Sequence, residues 1–354
     1  MDIRELLALT ISRAASDLHL VCDYPPTLRI NGELKPMVTY PLLNSPMIEE
    51  MVNACLNSAQ KEILSNNREI DFSTVFQLNN GDKYRFRGNA YFQRGTTAAS
   101  FRLIPAKIMT ISELNLPEIF NNFTQLRDGF VLLTGPSGQG KSTTIASIIQ
   151  MINENRSVHI ISIEDPIEYE FVKKKAIISQ REMYQDTHSW RSALKNVLRE
   201  DPDVVYIGEM RDFETISAAL TIAETGHLVF STLHTNSASQ TVDRIIDIFP
   251  SSQQPQVRMQ LSMVLRAVVS QRLVPTSAGS RLPVCEVLLG SDAVKSAIRD
   301  GHTHMIDNII QTSMEAGMML FEEHLRQRVE NNLISHDVAI QYALRPETYL
   351  QLIR

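Results

Sequence analysis

Paired cysteines are missing from this chain. Its three, Cys22, Cys55 and Cys285, lie far apart and form no C-x-x-C pair. That excludes a four-cysteine zinc module and gives no basis for a disulfide framework. A strong charge of either sign is missing too. Its 34 Lys and Arg stand against 40 Asp and Glu, a net of −6, so the electrostatic footprint of a nucleic-acid binder is absent and no nucleic-acid partner is expected. The basic run "FVKKKA" (171–176) reads as a solvated loop. No stretch of about 18 apolar residues occurs, so no membrane span is expected. Charges at Asp2, Arg4, Glu5 and Arg13 argue against a signal peptide. The expected location is the cytoplasm, or the cytoplasmic side of a membrane. Internal repeats and low-complexity segments are also lacking.

What is present is ordinary soluble-protein composition, 43% hydrophobic and 21% charged over 354 residues, enough for two domains with separate cores. Residues 1–105 read as an α+β domain. "KYRFRGNAYFQ" (83–93) alternates in polarity and "AASFRLIP" (98–105) continues the alternation, which predicts an antiparallel hairpin. Residues 47–64 have the spacing of one amphipathic helix. Residues 106–129 read as a linker with a short helix. From residue 130 onward the texture changes. "FVLLTG", "SVHIISIED", "DVVYIGE" and "HLVFSTLH" are continuous apolar runs ending in polar residues, with helical stretches between them. Such a pattern predicts an α/β domain over 130–354 with a mainly parallel sheet, whose ligands gather at the strands' carboxyl ends. The run 256–273, with Val257, Leu261, Val264, Leu265 and Val268, has helical spacing, and the remainder reads as mainly helical.

Within "LLTGPSGQGKSTT", Gly135, Gly138, Gly140, Lys141 and Ser142 satisfy the G-x-x-x-x-G-K-[ST] pattern between an apolar strand and a helix. Pro136, Ser137, Gln139 and Thr143 complete the loop. Its glycines permit backbone N–H groups to turn toward an anion, Lys141 reaches outer phosphates, and Ser142 supplies a Mg²⁺ position. The pattern calls for ATP and Mg²⁺. In "DVVYIGEMRD" (203–212), Glu209 stands at a strand end, to orient water or metal, or else to cap the following helix. Glu164, Asp165 and Glu168 crowd another strand end, as a metal–nucleotide site or an acidic turn. His234 follows the last run and reads either as structural or as a hydrogen-bonding partner of a terminal phosphate.

These four elements, in this order, resemble the secretion ATPase superfamily of bacterial pili and type II and IV secretion, with closest likeness to its type IV pilus retraction ATPases. "GPSGQGKST" is similar to their Walker A, "IEDPIEYE" to the Asp box, "GEMRD" to Walker B and "TGHLVFSTLHT" to the His box. "SDLHL" and "RFRGNAYFQR" extend the resemblance over nearly the whole chain. It implies a PAS-like N-terminal domain, a RecA-like ATPase domain and a ring of six chains. It also implies an inner-membrane platform protein as partner, and a paralogous motor ATPase. Glu209 would polarise water, Glu164 would act at the metal–water site, and Glu209, Glu164 and Ser142 would serve the metal. His234 would be the His-box residue, and Arg94 and Arg102 cations that approach the phosphates. Two departures stand out. The retraction-linked C-terminal motif appears only as "AVKSAIRD" (293–300), and the loop carries Ser137 and Gln139 where Thr and Ser are usual. Rival readings are pilus assembly (extension) ATPases, which generally carry paired cysteines, and the compact ATPases of type IVB secretion or conjugation.

Overall fold

The structure is a computed structural model that describes residues 1–30, 32–78, 81–104 and 107–353. It comprises two compact units, Met1–Lys107 with Pro166–Glu170, and Ile108–Asp165 with Phe171–Arg354. The boundary expected at residues 105–106 falls outside the described residues. Of the expected linker 106–129, residues from Ile108 onward belong to the second unit, where Ile111, Leu116, Phe120 and Phe123 are buried in its core.

The first unit is built on a sheet of strands β1 (Asp17–Leu20), β2 (Thr27–Ile30), β3 (Glu33–Pro36), β4 (Glu69–Gln77), β5 (Lys83–Gln93) and β6 (Thr96–Ile104). Their spatial order is β3-β2-β1-β6-β5-β4, antiparallel throughout. The expected β5–β6 hairpin is present. Its turn uses Arg94 and Gly95, both at positive φ (48° and 77°), the mirror-type geometry that matches strand twist. Leu6, Leu7, Ile48, Met51 and Val52 from two helices pack with Phe72, Phe86 and Phe101 of the sheet. The single helix expected over 47–64 is instead two, Ser45–Cys55 and Ser58–Asn67. Asn57 breaks the run. Its Oδ1 accepts the Gln60 N–H (2.9 Å), and Gln60 Oε1 accepts the Asn57 N–H (3.0 Å), a reciprocal cap that starts a new helix.

The second unit centres on a sheet of seven strands. They are β7 (Gly129–Thr134), β8 (His159–Glu164), β9 (Ile177–Glu182), β10 (Val204–Ile207), β11 (Leu228–Leu233), β12 (Leu265–Pro275) and β13 (Arg281–Leu289). The order is β13-β12-β7-β11-β10-β8-β9, parallel except for the β12–β13 pair. Alternate residues face opposite layers. Phe130, Leu132, Ile161, Ile163, Val205 and Val229 pack toward the helices Phe213–Glu224, Ala238–Asp247 and Gln254–Val264. Val131, Leu133, Ile160, Val204 and Phe230 pack toward the helix Lys141–Asn155 and the segment after Ile108. Burial on both faces explains why these strands read as unbroken apolar runs. It also explains a correction. The helix expected through 273 ends at Val264, and Val268 lies on β12, fully buried beside β7. A short apolar run buried on both sides carries no period that separates strand from helix.

The remainder expected to be mainly helical instead opens with β13, and after it the chain forms helices. Phe321–Glu330, His336–Tyr342 and Pro346–Leu352 enclose a smaller core with Val274, Leu282 and Val284. Arg345 ties this layer down. Its guanidinium pairs with Glu286 (2.9 Å), Glu322 (3.1 Å) and Asp307 (2.7 Å), and both glutamates are fully buried. Breaking such a set leaves unpaired buried carboxylates. Arg345→Ala is therefore expected to destabilise this unit by about 3–5 kcal/mol, read from denaturant unfolding. Nearby, His324 Nδ1 accepts the Cys285 N–H at 2.9 Å. Burial, aided by Arg328, pushes its pKa down to about 3. An unfolded histidine protonates near pH 6.5, so this contribution is complete above that pH and is lost as pH falls toward the folded value. At pH 5 the loss is about 2 kcal/mol. His324→Asn, which keeps an acceptor but does not titrate, is expected to flatten the stability profile between pH 7.5 and 5.

Candidate functional site at the carboxyl edge of the parallel sheet

Register places the expected residues along one edge. Ile207 of β10 lies opposite Ile163 of β8 and Ser231 of β11, and Leu233 lies opposite Thr134 of β7. One step beyond each last pair come Glu164, Gly208–Glu209, His234 and Gly135. These residues are far apart in the chain, and parallel pairing brings them to a common rim.

The phosphate-loop pattern follows β7 directly. Gly135 has φ 137°, and a Cβ there would stand 2.3 Å from the Gln271 carbonyl oxygen, so no other residue fits. Gly140, at φ 79°, precedes the helix Lys141–Asn155. A helix leaves its first N–H groups without intrahelical partners. Ser189, Asp212, Ser237 and Ser291 cap neighbouring helices with their side chains, but no side chain caps this one. An uncapped helix start behind positive-φ glycines is the geometry of an anion nest. Lys141 is buried, and its Nζ donates to the carbonyls of Gly135 (2.6 Å) and Pro136 (2.9 Å). Ser137 and Gly138 are exposed at the loop tip, and Ser142 and Thr143 are half-buried in the helix's first turn.

Glu209 is held from below. The Ser231 hydroxyl donates to the Ile207 carbonyl (2.8 Å), the Thr232 hydroxyl to Gly208 (2.7 Å), and the Met210 N–H to Thr232 (3.2 Å). Its carboxylate pairs with Arg211 Nη2 at 2.5 Å and faces His234 Nε2 at 3.5 Å. The helix that follows is capped by Asp212, which accepts the Thr215 N–H at 2.8 Å. The capping alternative for Glu209 is thereby excluded. Glu164 is buried at the end of β8, where Gln180 Nε2 lies 3.4 Å from its Oε1. Glu168 falls in Pro166–Glu170, with the first unit.

Arg94 and Arg102 also belong to the first unit. Arg94 is exposed at the β5–β6 turn. Arg102 on β6 donates from Nε to Asp17 Oδ1 at 2.8 Å. Asp17 is buried and also accepts the Ser16 hydroxyl at 2.8 Å.

Sequence reasoning missed Gln271 and Thr144, which buttress the loop. Gln271 lies on the strand misread as helix, so no local signal marks it. Chemically, the rim combines an anion nest, a buried lysine, two carboxylates and an imidazole, a set suited to a polyphosphate. Lys141→Ala is expected to weaken ADP binding by about 10- to 100-fold without unfolding the chain, measured by titration with a fluorescent nucleotide.

The family of type II/IV secretion system proteins matches residues 4–346. The chain is 40% identical over 349 residues to the type IV pilus retraction ATPase PilT of Pseudomonas aeruginosa, covering 99% of this chain and 100% of that protein. It is 39% identical over 344 residues to the type IV pilus ATPase PilU of the same organism, covering 97% and 89%. A crystal structure of the pilus retraction motor PilT with bound ADP matches with a TM-score of 0.90 at 40% identity, covering 99% of each chain.

Proposed function

The chain belongs to the type II/IV secretion system protein family, and from that premise we propose that it is an ATP-hydrolysing motor powering type IV pilus retraction. The observation that carries this reading is the alignment of the uncapped phosphate loop with Glu164, Glu209 and His234 on one sheet edge. Full-length similarity to relatives named for pilus retraction supports the direction of the work.

The chemistry follows from the residues. Loop N–H groups and Lys141 hold the β- and γ-phosphates. Ser142, with Glu164 and Glu209, would hold Mg²⁺. These donors, a hydroxyl and two carboxylates, are the hard oxygens that Mg²⁺ takes. When bound, Mg²⁺ supplies positive charge against the phosphates. Glu209 orients the attacking water, whose oxygen bonds to the γ-phosphorus as the bond to the β-bridging oxygen breaks, releasing ADP and phosphate. His234, beside Glu209, answers the terminal phosphate. Arg94 and Arg102 serve as cations for the transferring phosphoryl, and for Arg102 this means giving up Asp17. The working form is a homo-hexamer on the cytoplasmic face of the inner membrane. It engages a membrane platform protein and works alongside a paralogous motor. Among the described residues no helix is long and apolar enough to cross a membrane.

Glu209→Gln is expected to bind ATP normally while turnover falls at least about 100-fold. Parental turnover in that variant would remove the role given to Glu209. In cells, deletion of the gene is expected to leave surplus pili that do not retract, and loss of pili instead would reverse the direction. Mass in solution with ATP checks the ring.

A further inference from the structure

We infer that Gln139, Gln271 and Thr144 form a latch that sets the conformation of the phosphate loop, making them positioning residues for nucleotide binding. The inference rests on the loop being a nucleotide site, as proposed above. β7 ends at Thr134, paired with Ser270, while its neighbour β12 continues to Pro275. Past Ser270, the backbone groups of β12 on that side no longer have a strand beside them. The phosphate loop takes its place. Gln139 Oε1 accepts the Leu273 N–H at 2.7 Å, so the loop's own side chain continues the hydrogen bonding of the sheet.

The return contact comes from β12. Gln271 is almost wholly buried, and its Nε2 donates to the Gln139 carbonyl at 2.7 Å. That bond holds the peptide immediately before Gly140, whose left-handed φ opens the helix. On its other face, Gln271 Oε1 accepts the Thr144 hydroxyl at 2.9 Å, in the first turn of the same helix. One side chain thus grips the loop on one side of Gly140 and the helix on the other. The main chain of Gln271 adds a third restraint, because its carbonyl lies where any side chain at residue 135 would go. Below, the Thr134 and Ser270 hydroxyls share a hydrogen bond of 2.8 Å at the strand end.

An anion nest binds by presenting several N–H groups at one point, so its affinity depends on the loop being held in that shape before the anion arrives. The described side-chain bonds of Gln139 and Thr144 go to Leu273 and Gln271 of β12. Their contribution is to hold the frame. A ground-state restraint of this kind acts on binding, and the effect belongs in Kd and KM with kcat spared.

The test uses the full chain with ADP and ATP. Gln139→Ala is expected to raise the ADP dissociation constant and the KM for ATP about five- to tenfold, with kcat within about twofold. Its unfolding midpoint without nucleotide should stay within about 2 °C. Thr144→Val, nearly isosteric, is expected to weaken ADP about two- to fivefold, and Thr144→Ser, which keeps the hydroxyl, to restore parental affinity. Parental affinity in both Gln139→Ala and Thr144→Val overturns the latch. So does a loss that appears only as a lower unfolding midpoint, or one that Thr144→Ser fails to recover. If the parent chain itself binds no ADP, the functional reading fails, and the latch with it.

Discussion

Where β7 runs out at Thr134, backbone groups on both sides of the turn need new partners. A parallel sheet supplies hydrogen bonds only while its neighbours keep pace, and a helix leaves its opening N–H groups unpaired. At four other helices of this unit, the side chains of Ser189, Asp212, Ser237 and Ser291 absorb that need. At Lys141–Asn155 no side chain does, and a glycine-opened loop stands in the cap's place. Positive-φ glycines ahead of this helix start give the loop the shape of an anion nest.

The other members of the rim are placed by strand register more than by local structure. β11 lies between β7 and β10, and its Ser231 and Thr232 hydroxyls hold the carbonyls beneath Glu209. His234 follows from the same strand. Glu164 ends β8, buried but with an amide neighbour in Gln180 on β9. Glu164, Glu209 and His234 therefore each lie at or just past the end of a strand fixed through the core, with side chains of adjacent strands as support. Stiffness of this kind suits a site that must meet a highly charged ligand.

β12 and β13 join that rim to the rest of the second unit. β12 buttresses the phosphate loop through Gln271 and Leu273. Its antiparallel partner carries Cys285 and Glu286, which contact His324 and Arg345 of the C-terminal helices. The helical layer is thus anchored by buried polar contacts as well as by the apolar core around Val274 and Phe321.

The elements read without coordinates are those whose signal is local. The phosphate loop is a contiguous pattern set by backbone sterics, β7, β8, β10 and β11 are apolar runs closed by polar residues, and the β5–β6 hairpin alternates around Arg94–Gly95. Cooperative contacts decided the rest. The break at Asn57 required a cap to win over a continuous apolar spacing. The strand at 265–275 required β7 and β13 on either side of residues whose spacing equally suits a helix. Gln271 reaches the loop across 132 residues of chain, a distance over which no sequence spacing carries information. Residue order alone therefore determined the chemistry of the loop, because a nest of N–H groups depends on neighbouring dihedral angles. Only the tertiary structure decided what stands around it and what holds it in shape, because strand order and register arise from burying the whole sheet at once.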